Sequence, residues 1–249
     1  MPTTTTDRLL QLYMEPLIQG RRETCRQLVA EAVREGMPAR DLYSRLIWPA
    51  MEHVDRLYRD DRISTAAQNM ATCINRCVAE HLQQHLTPSR PAASGRRIFI
   101  VCAAGRQEEL GAEMCADLFE SDGWEVYFLG AGVPHDEITS LVGELRPDIL
   151  LIFGSKPQDA PDVRQLIDHV RGINACPSMN IMVSGGVFNR ADGLWKEVKA
   201  DIVAETAVEA LDLAARAQPR MPEIRVPGAP KKRRRRRRPP LLSAPGEDD

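Results

Sequence analysis

The sequence predicts an α/β protein: an N-terminal helical bundle acting as a cap, followed by a doubly wound five-stranded parallel sheet. Three observations predict it. Over residues 7–87 apolar residues recur at helical spacing, whereas from Arg97 short continuous apolar runs alternate with amphipathic stretches. The runs are short enough for strands and apolar on both faces, as a parallel sheet covered by helices on each side requires. The first four of them also lead into turns that carry glycine.

The helical part reads in order. Leu9, Leu10, Leu12, Tyr13, Leu17 and Ile18 form a first apolar stripe, and Cys25, Leu28, Val29, Ala32 and Val33 a second that stops at Gly36. A third helix starts around Pro38–Asp41 and carries Leu42, Leu46, Ile47, Met51, Val54 and Leu57. A fourth, 64–86, carries Ala67, Met70, Ile74, Cys77, Val78 and Leu82. Helices of this number and length make a small bundle. Residues 87–97, with Pro88, Pro91, Ser94 and Gly95, read as a linker.

The second part begins with the strand RIFIVCA and the helix GAEMCADLFESDG, which ends at Gly123. WEVYFLG is the second strand, 136–145 the second helix and DILLIFG the third strand. A helix over 161–173, the strand NIMVSGG, a helix at 191–199, the strand ADIVAE and a helix at 207–218 complete the alternation. The expected domains are therefore a cap at 1–87, a linker at 88–97, an α/β domain at 98–218 and a basic tail at 219–249.

Composition narrows the function classes. No apolar run approaches the roughly 18 residues of a membrane span, so no membrane contact is expected. The start, Met1–Thr6, lacks the charged and apolar regions of a signal peptide, which predicts a cytoplasmic protein. Cys25, Cys73, Cys77, Cys102, Cys115 and Cys176 lie scattered in apolar stretches and read as buried free thiols. Cys73 and Cys77 share a helix face and could also meet a metal or a redox signal, but no second pair stands at ligand spacing. Net charge is −2, yet residues 1–230 hold 25 basic against 32 acidic groups, a net −7. The rest comes from Lys231–Arg238, eight consecutive cations between prolines, and from the three acids Glu247, Asp248 and Asp249. Such a run cannot bury apolar surface and reads as disordered. It suits nonspecific contact with DNA phosphates or with an acidic partner, without base reading. No paired carboxylates, nucleophile with base, or phosphate-binding lysine loop suggests an enzyme.

In a doubly wound sheet the ligand site lies outside the carboxyl ends of the strands. The special residues gather there: Gly105 and Gly111 after the first strand, Gly130, Gly132 and His135 after the second, Gly154 and Ser155 after the third, and Ser184, Gly185 and Gly186 after the fourth.

The stretch IFIVCAAGRQEELGAEMCADLFESDGWEVYFLGAGVPH resembles the front half of a cobalamin-binding domain. The resemblance implies a flavodoxin-like sheet, with Ser155 and Ser184-Gly185-Gly186 beside the nucleotide tail of the ligand. Cobalamin-dependent enzymes carry D-x-H-x-x-G in the first turn, whose histidine binds cobalt. Here Arg106, Gln107, Glu108, Glu109, Leu110 and Gly111 stand in those places, so the glycine is kept and the Asp and His are not. Further segments, RLIWPAMEHVDRLYRDDRI, GVPHDEI, ILLIFGSKPQDAPDVRQLIDHVRGIN and SGGVFNRADGLW, are similar to the AerR/PpaA family of cobalamin-binding antirepressors of photosynthesis genes over roughly residues 40–215. That resemblance implies a non-enzymatic, light- or redox-responsive regulator whose partner is a DNA-binding repressor of the CrtJ/PpsR type. Relatives that take haem make haem a minor alternative to cobalamin.

With Glu108 in the histidine's place, Pro134-His135, kept from the family's K-I-P-H-E element, makes His135 the candidate cobalt ligand; the alternative is that it only opens the following helix. Asp136 beside it is either a surface carboxylate or an orienter of the ring. In light-sensing cobalamin repressors a Trp and a later Glu-His pair cover the corrin. The corresponding residues here are Tyr58, a candidate apolar contact, and Gln68-Asn69, so the hydroxo or aquo form is favoured. The second reading is a corrinoid carrier of a methyltransferase system, against which the loss of the first-turn histidine counts.

Overall fold

The computed structural model describes residues 5–87, 95–103 and 109–221. Its elements follow the expected order. The cap comprises α1 (Thr5–Ile18), α2 (Arg22–Arg34), α3 (Ala39–Leu42), α4 (Trp48–Arg59) and α5 (Thr65–Gln83). The sheet domain follows as β1 (Arg97–Cys102), α6 (Glu109–Ser121), β2 (Glu125–Ala131), α7 (His135–Leu145), β3 (Ile149–Phe153), α8 (Asp159–Ile173), β4 (Asn180–Ser184), α9 (Gly186–Arg190), α10 (Leu194–Glu197), β5 (Ile202–Ala204) and α11 (Ala207–Arg216).

All strands pair in parallel in the order β2-β1-β3-β4-β5. Because successive side chains of a strand point to opposite faces, each apolar run feeds two cores. Ile98, Ile100, Leu151 and Met182 join α6, α11 and the cap in one core, while Phe99, Val101, Leu150, Ile152, Ile181 and Val183 meet α7 and α8 in the other. The cap therefore has no separate core: Tyr13, Leu17, Tyr43, Leu46, Ile74 and Leu82 are continuous with one face of the sheet.

Two predicted helices are interrupted or shortened. The third cap helix contains a π-turn at Tyr43–Ile47, in which the Trp48 N–H bonds back to the Tyr43 carbonyl. Pro49 explains it, since a proline lacks the N–H that would bond the Arg45 carbonyl and its ring crowds the preceding turn. The helix expected at 191–199 is cut short to α10, since Gly193, whose φ of 77° leaves the helical region, stands before its first residue, and α9 precedes it as a turn of helix the sequence did not suggest. α5 starts as the sequence suggests, with the Ser64 hydroxyl accepting from the Ala67 N–H at 3.2 Å.

All six cysteines are free, but only Cys25, Cys102 and Cys115 are buried. Cys73 is exposed, and Cys77, half-buried, accepts from Arg22 Nη2 at 3.2 Å. Among the described residues no helix is long and apolar enough to cross a membrane, and no three His, Cys, Asp or Glu side chains come together to hold a metal.

Candidate functional site

The carboxyl ends of β3 and β4 face α4 and α5 across a cavity of ≈ 350 Å³. The π-turn brings Trp48 to its wall, where the indole meets the Phe153 ring edge-on, with centroids 6.3 Å apart and planes at 83°. The Trp48 N–H donates to Glu52 Oε1 at 3.2 Å, so the apolar face of the ring is left for packing. Met51 and Tyr58 from α4 and Leu110 from α6 add apolar surface. Gln68, Asn69, Thr72 and Asn75 give α5 a polar stripe along the same wall. Asn75 is buried and held in place by the Tyr13 hydroxyl, which donates to its Oδ1 at 2.9 Å.

Of the residues expected from the sequence, Tyr58, Gly111, Ser155, Gly185 and Gly186 line this cavity. Gly111 and Gly185 are required by close approach. A side chain on Gly111 would run into the Phe153 ring, and one on Gly185, whose φ is 103°, into the Gly154 carbonyl oxygen. A Cβ on Gly186 would collide with the Arg190 guanidinium. The result is a strip of bare backbone between β3 and β4 on which a flat ligand could rest.

Four other expectations are met differently. Ser184 is fully buried and its hydroxyl donates to the Ala204 carbonyl at 2.8 Å, tying β4 to β5 instead of facing the cavity. Gly130 and Gly132, at φ 74° and 81°, shape the turn after the edge strand β2. Gly130 also makes room for Glu109, which accepts from the Ala131 N–H at 3.0 Å. His135 opens α7 and places Nε2 3.2 Å from Asp162 Oδ1 on α8, away from the cavity wall. Gly105, with Arg106, Gln107 and Glu108, lies outside the described residues. Among the described residues no imidazole lines the cavity.

Two residues escaped the sequence reading. Asp159 is buried and accepts from the Ser155 N–H at 3.0 Å and the Lys156 N–H at 2.8 Å, which fixes the turn after β3. An aspartate at a helix start following a glycine-serine turn is the only signal, and it is a common one. Arg190, in a helix of five residues, donates through Nη2 to the Ser155 carbonyl at 2.5 Å and through Nη1 to Asp55 Oδ2 on the cap at 3.2 Å.

Away from the cavity, α5 and α6 meet along a polar seam. The Tyr43 hydroxyl lies 2.7 Å from Asp117 Oδ2 and 2.9 Å from the Ala79 carbonyl, and Gln83 Nε2 donates to Asp117 Oδ1 at 2.7 Å. Burial, helped by Glu120 and Glu113, pushes the Asp117 carboxyl up to about 6 against the two hydrogen bonds that favour its charge. Burial also raises Glu113, although Arg76 stands 3.3 Å away.

The walls fit a flat, amide-rimmed macrocycle: aromatic and aliphatic surface, a polar stripe on α5 and a backbone strip without side chains. Two family models point the same way. Residues 96–215 match a family model described as "B12 binding domain", and residues 9–83 match a second model of that description. The monomethylamine corrinoid protein of Methanosarcina barkeri has the same fold, with a TM-score of 0.74 at 18% identity over 84% of this chain and 98% of its own. A cobalamin-binding protein from Desulfitobacterium hafniense DCB-2 gives a TM-score of 0.45 at 17% identity, covering 83% of this chain and 97% of that one. The methanol:cobalamin methyltransferase complex MtaBC of Methanosarcina barkeri gives 0.42 at 16%, covering 86% and 82%. Among curated protein sequences none matches.

Proposed function

Because the chain carries a cobalamin-binding domain at residues 96–215, behind a helical module of the same family description at 9–83, we propose that it is a corrinoid carrier. It holds its ligand for a partner methyltransferase and has no catalytic centre of its own. The observation that carries this reading is the cavity between cap and strand ends, with bare backbone at Gly185 and Gly186 opposite Trp48, Met51 and Tyr58. When bound, the corrinoid would supply one-carbon transfer at cobalt. The residues of the chain would hold its periphery: aromatic and aliphatic side chains against the ring, Gln68, Asn69 and Thr72 for its amides, and Ser155 with Lys156 at the carboxyl end of the central strand β3.

The fold shared with the monomethylamine corrinoid protein over 98% of that chain supports the carrier ahead of the regulator, the reverse of the order drawn from sequence. The regulatory reading keeps one observation in its favour. Arg106, Gln107 and Glu108 stand where a cobalt-binding histidine is expected, so a sensor that acts on a CrtJ/PpsR-type repressor remains the second proposal. The common ground is tested by incubating the full chain with hydroxocobalamin, desalting it and recording the visible spectrum. Retained colour is expected, and a colourless protein would remove both readings. Methyl transfer to the retained corrinoid by a corrinoid-dependent methyltransferase supports the carrier; release of a photosynthesis-gene repressor from DNA, with no methyl transfer, supports the regulator.

A further inference from the structure

The charge of the cavity runs against the charge of the chain. Acidic groups outnumber basic ones 32 to 25 over residues 1–230. The cavity wall nevertheless collects Arg56, Arg59, Lys156 and Arg190 against Glu52 and Asp55. A wall with more cations than anions, set into an acidic protein, is built for an anionic part of a ligand.

Arg190 is the best placed of the four. It reaches back from the end of α9 over Gly186, whose missing side chain is the space its guanidinium occupies. Nη2 is anchored on the Ser155 carbonyl, and Nη1 points to Asp55 across the mouth between sheet and cap. Asp55 does not depend on it, since Arg59 Nε donates to the same carboxylate oxygen at 3.0 Å. Both members of the Arg190–Asp55 pair keep about a third or more of their side-chain surface in solvent (32% and 41%), so the contact contributes little and is easily exchanged. A guanidinium held over bare backbone presents a planar fork that matches the oxygens of a phosphate.

We propose that Arg190 recognises the phosphodiester in the nucleotide tail of a complete corrinoid, exchanging Asp55 for the phosphate as the ligand enters. The proposal rests on the corrinoid reading above. It makes the chain selective for corrinoids that carry the tail over cobinamide, the tail-less ring, which offers no such anion.

The test titrates the full chain with hydroxocobalamin and with cobinamide, following tryptophan fluorescence and retention on desalting. The wild type is expected to bind cobalamin more tightly. Arg190→Gln is expected to weaken cobalamin binding on the order of tenfold, the value of one charge-assisted hydrogen bond. Cobinamide affinity should stay where it was, which also certifies the fold of the variant. Arg190→Lys should recover part of the selectivity, and Asp55→Asn, which frees the guanidinium, should tighten cobalamin binding. Equal wild-type affinity for the two corrinoids, or an Arg190→Gln loss of the same size for both, overturns the assignment while leaving corrinoid binding intact. Binding of neither corrinoid by the wild type removes the corrinoid reading and the assignment together.

Discussion

Replacing Asp117 by Asn should stabilise the protein at neutral pH and remove a pH dependence from the seam between cap and sheet. In the wild type one hydroxyl proton, that of Tyr43, serves two acceptors, Asp117 Oδ2 and the Ala79 carbonyl. A protonated Asp117, or an asparagine, can donate to the Tyr43 oxygen while Tyr43 donates to Ala79, and the other side-chain oxygen still accepts from Gln83. The carboxyl rises from the ordinary 3.8 to about 6 in the folded chain. Between these values the native state binds more protons than the unfolded state, so stability falls as pH rises through this window. The contribution is fully present below 3.8 and lost above about 6. At about 1.4 kcal/mol per unit the ceiling is roughly 3 kcal/mol; the partial exposure of Asp117 brings the expectation to about 1–2 kcal/mol. Urea unfolding of wild type and Asp117→Asn at steps from pH 4 to 7.5 measures it. The titration of Glu113 and other shared carboxylates largely cancels in the difference. The variant should gain its full advantage by pH 7 and little of it at pH 4. A difference that is flat across this range, or a variant less stable at pH 7, would refute the reasoning.

Gly185→Ala should cost about 3 kcal/mol or more, because it combines a left-handed backbone with a collision against the Gly154 carbonyl; a melting temperature within a degree of wild type would contradict this. His135→Ala should leave corrinoid retention unchanged and cost under about 1 kcal/mol, the worth of a partly exposed pair with Asp162, as read by desalting and thermal melting. Loss of corrinoid in that variant would return His135 to the cobalt. Deleting residues 227–249, with the eight cations of Lys231–Arg238, should reduce binding to duplex DNA and flatten its salt dependence while leaving the melting temperature alone.

The strands were legible because a parallel sheet covered on both faces demands uninterrupted apolar runs, and RIFIVC, ILLIF and NIMVS are such runs. Glycines at the strand ends located the ligand side, and Gly111, Gly185 and Gly186 do line the cavity. What their spacing does not encode is what each glycine makes room for: a phenyl ring, a carbonyl and a guanidinium supplied from distant positions. Side-chain direction is equally hidden. Ser184 and His135 stand at strand and helix ends on the expected side of the sheet, but one hydroxyl turns to Ala204 and one imidazole to Asp162. Arg190 and Asp55, 135 positions apart, meet only because the cap folds over the sheet, and no local pattern marks either of them.

The widened turn at Tyr43–Ile47 solves a problem of angular register. Tyr43 must reach the seam with α6, and Trp48, five residues later, must reach the cavity. A regular helix advances about 100° per residue, so five residues bring the chain round by one full turn and roughly 140° more. The wider π-turn shifts that angle, as though one additional residue had been taken into an otherwise ordinary helix. Removing one residue here would close the turn into an ordinary helix and leave its two halves in phase, whereas removing one from the regular helix beyond Trp48 would turn the residues after it by about 100° relative to those before. The widened turn is thus the place where this helix can lose a residue while Tyr43 keeps the seam and Trp48 the cavity wall. A deletion one turn later is the change that would uncouple the ligand-facing half of the cap from the half that grips the sheet.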